Sequence, residues 1–157
     1  PLDLTSRLYR LACEWNSDGV QMGFDFVLGP GYSGKVCKGD PEKGIEVHRD
    51  VARVSDHMRK ADLAICSQGR TTFELATMGV PSIVLAQNRR EQLHTFAQMD
   101  NGFINLGLGS EVSDEDIAAA IRWVASAKSI RREMRRLMLS NDLRAGISRV
   151  KSIILGE

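Results

Sequence analysis

Long apolar runs are missing from this sequence. None approaches the roughly 20 residues that cross a bilayer, and no signal peptide is visible. No transmembrane segment is therefore expected, and the reducing cytoplasm is the expected compartment. An excess of one charge is missing too: 21 lysines and arginines against 20 acidic residues leave a net charge of +1. Nothing here points to nucleic acid or an anionic membrane as partner. Cysteine is scarce, at three residues, and Cys13, Cys37 and Cys66 lie far apart with no C-x-x-C spacing. Neither a disulfide framework nor a zinc site is implied. Cys66 sits in an apolar run and reads as a small core hydrophobe. His48, His57 and His94 show no metal spacing and read as structural or surface residues. There is no G-x-S-x-G and no H-E-x-x-H, so neither a catalytic set nor a metal is expected.

What is present suits one soluble domain. The chain has 157 residues, 43% hydrophobic and 26% charged, enough for a substantial core. It opens at Pro1 without a methionine, which predicts a processed chain or one cut from a longer protein. The one dense basic cluster, Arg131, Arg132, Arg135 and Arg136, alternates with Met134, Leu137 and Met138 and reads as a solvated helix face.

Hydrophobic periodicity predicts alternating strands and helices. Leu4, Leu8 and Leu11 repeat at helical spacing, with Asp3 or Thr5 able to cap. Phe24–Leu28 reads as a strand ended by Gly29-Pro30-Gly31, and Ile45–His48 as a shorter one. Val51–Lys60 reads as a helix, Leu63–Cys66 as a buried strand and Thr71–Met78 as a helix stopped by Gly79 and Pro81. Ser82–Leu85 is another buried strand, Leu93–Met99 a helix and Phe103–Asn105 a short strand. Ser113 caps a helix over Asp114–Ala125. Helices near Ile130–Leu139 and Asp142–Leu155 complete the pattern. Short continuous apolar strands between helices predict a doubly wound parallel α/β domain over residues 1–157. In such sheets ligands bind beyond the carboxyl ends of the strands. The qualifying loops are Gly29–Gly34, Ser67–Arg70 and Ala86–Gln92.

All three loops carry chemistry-bearing patterns. Gly29-Pro-Gly-Tyr-Ser-Gly34-Lys35-Val36 nearly fits the phosphate-loop pattern. Val36 has no hydroxyl for magnesium, however, and Cys37-Lys-Gly39-Asp-Pro41 cannot supply the helix that should hold the phosphates, so a nucleoside-triphosphatase is rejected. Ser67-Gln-Gly69-Arg-Thr71-Thr72-Phe-Glu74 is more informative. Gly69 lets the backbone approach a ligand closely. The amides of Thr71 and Thr72 open a helix and offer an anion site. Glu74, one turn in, can accept two hydrogen bonds from a ribose diol. The competing reading is a capping box, Thr71-x-x-Glu74, with no ligand at all. Gln87 to His94 crowds amides and charges into the next loop, suiting sugar hydroxyls or a plain polar turn.

The order of motifs resembles the C-terminal domain of GT-B nucleotide-sugar enzymes. The residues are Ala61-Asp62-Leu-Ala-Ile, Gly69-x-Thr71-Thr72-x-Glu74-Leu, Gly79-Val80-Pro81-Ser-Ile-Val and Asn88-x-x-x-Gln92. The tail Asp142-Leu-Arg144-Ala-Gly146-Ile-x-Arg149-Val150 is similar as well. One likeness is to the transferase that adds N-acetylglucosamine to lipid I. The nearer one is to the group holding the pseudaminic-acid-pathway UDP-sugar hydrolase and the spore-coat polysaccharide biosynthesis glycosyltransferase-like proteins. The resemblance implies a UDP-sugar as substrate with no further cofactor, its diphosphate on the helix after Gly69 and its ribose on Glu74. Backbone around Arg49–Val51 would meet the base, and Gln92 and Asn88 would face the sugar or its phosphate. It implies an N-terminal partner domain carrying the hydrolases' catalytic histidine. It also implies a first strand before Pro1, so the segment alone is expected to be inactive. The expected function is UDP-sugar binding within a glycosyltransferase or hydrolase of bacterial surface polysaccharide synthesis. The alternatives are a non-catalytic binding module fused to another sugar-nucleotide enzyme, such as a cytidylyltransferase, and, last, a receiver-like signalling domain, which would need an early acidic pair and a late lysine.

Overall fold

The computed structural model describes residues 3–17, 22–36 and 38–156. Pro1, Leu2 and Cys37, on which parts of the sequence reading fall, lie outside them. The fold is α/β and Rossmann-like: parallel strands in two hydrogen-bonded sheets, flanked by helices. The chain divides into two compact units, Pro1–Lys60 and Ala61–Glu157.

The first unit runs α1 (Leu4–Ser17), β1 (Phe24–Leu28), β2 (Ile45–Arg49) and α2 (Val54–Lys60), with a 3-10 turn at Pro41–Lys43. Asp3, not Thr5, caps α1: its carboxylate accepts the Ser6 amide at 3.0 Å and the Ser6 hydroxyl at 2.5 Å. Leu4, Leu11, Ala12 and Trp15 are buried along the inner stripe of α1, as the leucine spacing predicts. Tyr9 meets Phe26 edge-on at 5.5 Å and Trp15 meets Phe24 at 6.0 Å. β1 and β2 pair in parallel, Phe24 opposite Ile45 through Leu28 opposite Arg49. Because side chains alternate along a strand, Asp25, Glu46 and His48 share the face opposite to Phe24 and Phe26. The predicted helix Val51–Lys60 starts three residues late, at Val54. Asp50 sits at φ +50° with its amide donated to the Leu28 carbonyl at 3.1 Å, which holds the chain out of the helical path. The segment after Lys35 agrees with the rejection of a phosphate loop. Val36 is buried, the Arg49 guanidinium donates to its carbonyl at 2.6 Å, and among the described residues a 3-10 turn at Pro41–Lys43 is the one helical element between β1 and β2.

The second unit holds β3 (Ala64–Cys66), α3 (Thr71–Met78), β4 (Ser82–Ala86), β5 (Phe103–Leu108), α4 (Asp114–Ser126), α5 (Lys128–Ser140) and α6 (Gly146–Leu155). The sheet order is β3-β4-β5, all parallel. β4 is central and every residue of it is buried, which is why residues 83–86 form a continuous apolar run rather than an alternating one, while the buried Ser82 hydroxyl donates to the Val80 carbonyl at 2.7 Å. Ala76, Val84, Ala97, Phe103 and Met138 form a buried cluster, with Cys66, Phe96 and Leu143 packed against it. Gly79 ends α3 in the left-handed region, its amide bonded to the Ala76 and Leu75 carbonyls. Ser113 caps α4, accepting the Asp116 amide at 3.0 Å. Among the described residues no helix is long and apolar enough to cross a membrane.

Two expectations fail here for local reasons. No α-helix forms over Leu93–Met99; 3-10 turns form at Glu91–Leu93 and Met99–Asn101. The Gln68 side chain takes the His94 carbonyl at 2.6 Å, which in a helix would accept the Gln98 amide, and that amide turns to Phe96 O at 2.9 Å instead. The stretch Asp142–Leu155 begins as a 3-10 turn at Leu143–Ala145, after Asp142 at φ +45°, and becomes α-helical at Gly146.

The basic cluster on α5 is more than a solvated face. Arg135 donates to the carbonyls of Met78 at 3.1 Å and Gly79 at 2.9 Å, capping the C-terminal end of α3. Arg131 does the same for α4 through the carbonyls of Val124 and Ala125. Arg136 pairs with Glu133, and Arg132 makes no such contact among the described residues. A cation on the last carbonyls of a helix is favoured by the helix dipole. Arg135→Ala is therefore expected to lower stability by about 1 kcal/mol, and Arg132→Ala to leave it within about 0.5 kcal/mol. Parallel urea melts of the two variants give that difference directly, and equal midpoints would remove the capping role.

Candidate functional site

The carboxyl ends of β3, β4 and β5 open onto two loops, 67–70 and 87–102. Gln68, only 2% exposed, joins them. Its side-chain amide donates to the His94 carbonyl at 2.6 Å, while His94 Nδ1 faces the Gln68 carbonyl at 2.8 Å. Beside this clasp lies a cleft of about 350 Å³ lined by Gln68, Gln92, Gln98, Asn105, Leu106 and Gly107. A shift of register between Val84 and Ala86 and Gly107 at φ +84° mark the irregular end of β5. Asn105 Oδ1 accepts the Gly107 amide at 2.9 Å, which fixes that side chain at the rim. The lining is rich in carboxamides, which both donate and accept and so suit hydroxyls and carbonyls of a polar ligand. It contains no titratable side chain.

Of the residues read from the sequence, Gln92 lines this cleft. Gly69, Thr71, Thr72 and Glu74 come together on the loop after β3 and the first turn of α3. The capping-box alternative is not what forms. Arg70 holds the cap position without a side-chain bond, and the Thr72 hydroxyl, buried, donates back to the Gly69 carbonyl at 2.8 Å. The Thr72 amide also bonds to the Gly69 carbonyl, at 3.2 Å, and the Phe73 amide to the Arg70 carbonyl, at 3.0 Å, so of the two amides read from the sequence as an anion site Thr72 is spent within the turn and Thr71 remains. Glu74 is exposed, and no hydrogen bond or ion pair engages its carboxylate among the described residues. Asn88 spends its side-chain oxygen on the Glu91 amide at 3.1 Å, and Glu91 in turn accepts the Gln87 amide at 2.9 Å, so this loop is organised by its own polar groups. Val51 belongs to the first unit, just after β2. Burial, with the Glu91 carboxylate adding to it, pushes the Cys66 thiol up to about 12. That fits a core hydrophobe and not a nucleophile.

Sequence reasoning missed Gln68, Gln98, Asn105 and Gly107. β5 continues to Leu108 instead of stopping at Asn105, and Gly107 so close to that end was the available signal. It also missed a constellation in the first unit. Asp25 Oδ1 lies 2.6 Å from His48 Nε2, and Asp25 Oδ2 lies 3.0 Å from His57 Nδ1. The two imidazoles are 4.4 Å apart, centre to centre. Partial burial pushes the Asp25 carboxyl up. Hydrogen bonds from His57 and His48 outweigh it and hold the carboxyl below its usual range.

No family model, curated protein or solved structure matches this chain.

Proposed function

We propose that the second unit binds a nucleoside diphosphate sugar, as the C-terminal domain of a GT-B-type glycosyltransferase or nucleotide-sugar hydrolase. The observation that carries this reading is the pairing of a helix start that no side chain caps with an unpartnered Glu74 one turn further on. The Thr71 amide and the positive end of the helix dipole favour a diphosphate without a metal, although the Thr72 amide is bonded to Gly69, and a free carboxylate at that distance along the helix suits a ribose diol. The amide-lined cleft would take the sugar. The motif resemblance at Gly69 to Gln92 is what points to UDP, to a second GT-B domain as partner, and to cytoplasmic assembly of bacterial surface polysaccharide. Because the cleft lining holds no acid or base, proton transfer would have to come from groups outside it. That observation also favours a second reading, in which the domain only recognises the nucleotide-sugar.

Gly69 supplies the test. A Cβ built there meets only Ser67 Oγ, at 3.6 Å, so the protein itself tolerates a side chain. Gly69→Ala should change stability by less than about 1 kcal/mol. It should weaken UDP by about tenfold, about 1.4 kcal/mol, because the methyl occupies the path of the diphosphate. Calorimetric titration of the full chain with UDP, UDP-N-acetylglucosamine and uridine checks this. Binding of uridine equal to that of UDP, or no effect of Gly69→Ala, would overturn the diphosphate site.

A further inference from the structure

We infer that Asp25, His48 and His57 form a binding site for a borderline divalent transition metal of the zinc class. Three different elements converge on it: Asp25 from β1, His48 from β2 and His57 from α2. The strand register sets Asp25 beside Glu46, and alternation brings His48 to the same face. One ligand atom from each of the three residues lies within 4.8 Å of the other two. Zinc bonds of about 2.0–2.2 Å to nitrogen and oxygen require ligand atoms about 3.3 Å apart. The carboxylate contacts to the rings, at 2.6 and 3.0 Å, need to open by less than about 1 Å. Small side-chain rotations supply that without moving the strands.

Several observations favour a metal over an incidental cluster of polar groups. The side chains are 43%, 30% and 23% exposed for Asp25, His48 and His57, so an ion can reach them from water. Exposed ion pairs contribute little to stability, yet here two rings aim their inner nitrogens at one carboxylate from regular elements. Glu46 Oε2 stands 3.3 Å from His48 Nε2 and is a fourth oxygen within reach, or that position stays with water. Two imidazoles and a carboxylate suit zinc, cobalt, nickel or copper rather than magnesium or calcium, which prefer oxygen alone. To bind, each ring gives up to water the inner-nitrogen proton that it donates to Asp25 and, where it started neutral, takes one up on its outer nitrogen, so that the freed lone pair goes to the ion and the ring stays neutral. All these ligands lie in Pro1–Lys60, so the inference stands independently of the nucleotide reading.

The experiment uses the full chain with its accessible cysteines alkylated under native conditions, so that their thiolates cannot compete; Cys66, packed in the core, is left as it is. Titration with Co²⁺ should give one equivalent with the visible d–d absorption of a four-coordinate site, displaced by Zn²⁺. His48→Gln, His57→Gln and Asp25→Asn should each weaken the metal by at least the roughly 10-fold to 100-fold that losing even a supporting partner costs such a site. His94→Asn should not. Ring proton resonances of His48 and His57 should shift on Zn²⁺ addition while those of His94 stay, a readout that needs no variant to fold. No stoichiometric four-coordinate Co²⁺, or binding that survives both histidine substitutions, overturns the site.

Discussion

Gly102→Ala is expected to destabilise the second unit by about 3 kcal/mol, a fall in Tm of more than about 10 °C. Gly102 follows the 3-10 turn Met99–Asn101 at φ +84°, with its amide donated to the Met99 carbonyl at 2.9 Å. A side chain in that left-handed region costs about 1–2 kcal/mol by itself. The new Cβ would also overlap the backbone carbonyl of Met134 and press on the Met138 side chain. Neither can give way freely. Met134 O belongs to α5, and Met138 is part of the buried cluster with Phe103 and Val84. Overpacking of this kind adds about 1–3 kcal/mol. Gly107 is a built-in control, since it has the same φ of +84° and nothing within 4 Å of a Cβ. Gly107→Ala should show the conformational cost alone. Thermal and urea melts of both variants separate the two contributions, and equal losses would mean that the contact between the turn and α5 is not tight.

The sequence made the regular elements legible wherever one local signal dominated. α3 was readable to the residue because Gly79 and Pro81 stop it, and the central strand β4 from its apolar run over Ser82–Leu85, one residue short of its end at Ala86. α4 announced its start through Ser113 and Asp116. Where side chains compete with the backbone, the reading failed. Leu93–Met99 has helical spacing, but the Gln68 side chain takes the His94 carbonyl from outside the segment. Asp50 delays α2 through a positive φ that no periodicity encodes. The site divides in the same way. Gly69, Thr71, Thr72 and Glu74 are contiguous and could be read as one loop and helix start. Gln68 and Gln98 reach the cleft only because the ends of β3 and β5 flank β4, and the pairing of two strands is not written in either strand alone. The three groups around Asp25 were invisible for that reason also. His48 and His57 carry no motif spacing, and it is the register of β1 on β2 that puts a carboxylate between them.

Glu74→Gln is expected to weaken UDP by about tenfold to a hundredfold while leaving the fold intact. A carboxylate that accepts both ribose hydroxyls makes two charge-assisted hydrogen bonds, and losing the charge costs about 1.5–3 kcal/mol. The glutamine keeps the shape and one acceptor, so the change isolates charge from packing. Had Glu74 closed a capping box, the same substitution would have lowered stability by about 1 kcal/mol. It does not close one: Arg70 holds the cap position without a side-chain bond, Thr72 turns its hydroxyl back to Gly69, and Glu74 stands exposed. Stability should therefore stay within about 0.5 kcal/mol, the usual range for an exposed substitution. Calorimetric titration with UDP and with 2′-deoxy-UDP, paired with a melt of each form, resolves the question. Wild type should prefer UDP, and Glu74→Gln should bind the two alike, because the 2′-hydroxyl matters only while a carboxylate receives it. If wild type binds both nucleotides equally, Glu74 does not hold the ribose. If Glu74→Gln changes the melt and not the affinity, the carboxylate serves the helix and the nucleotide lies elsewhere.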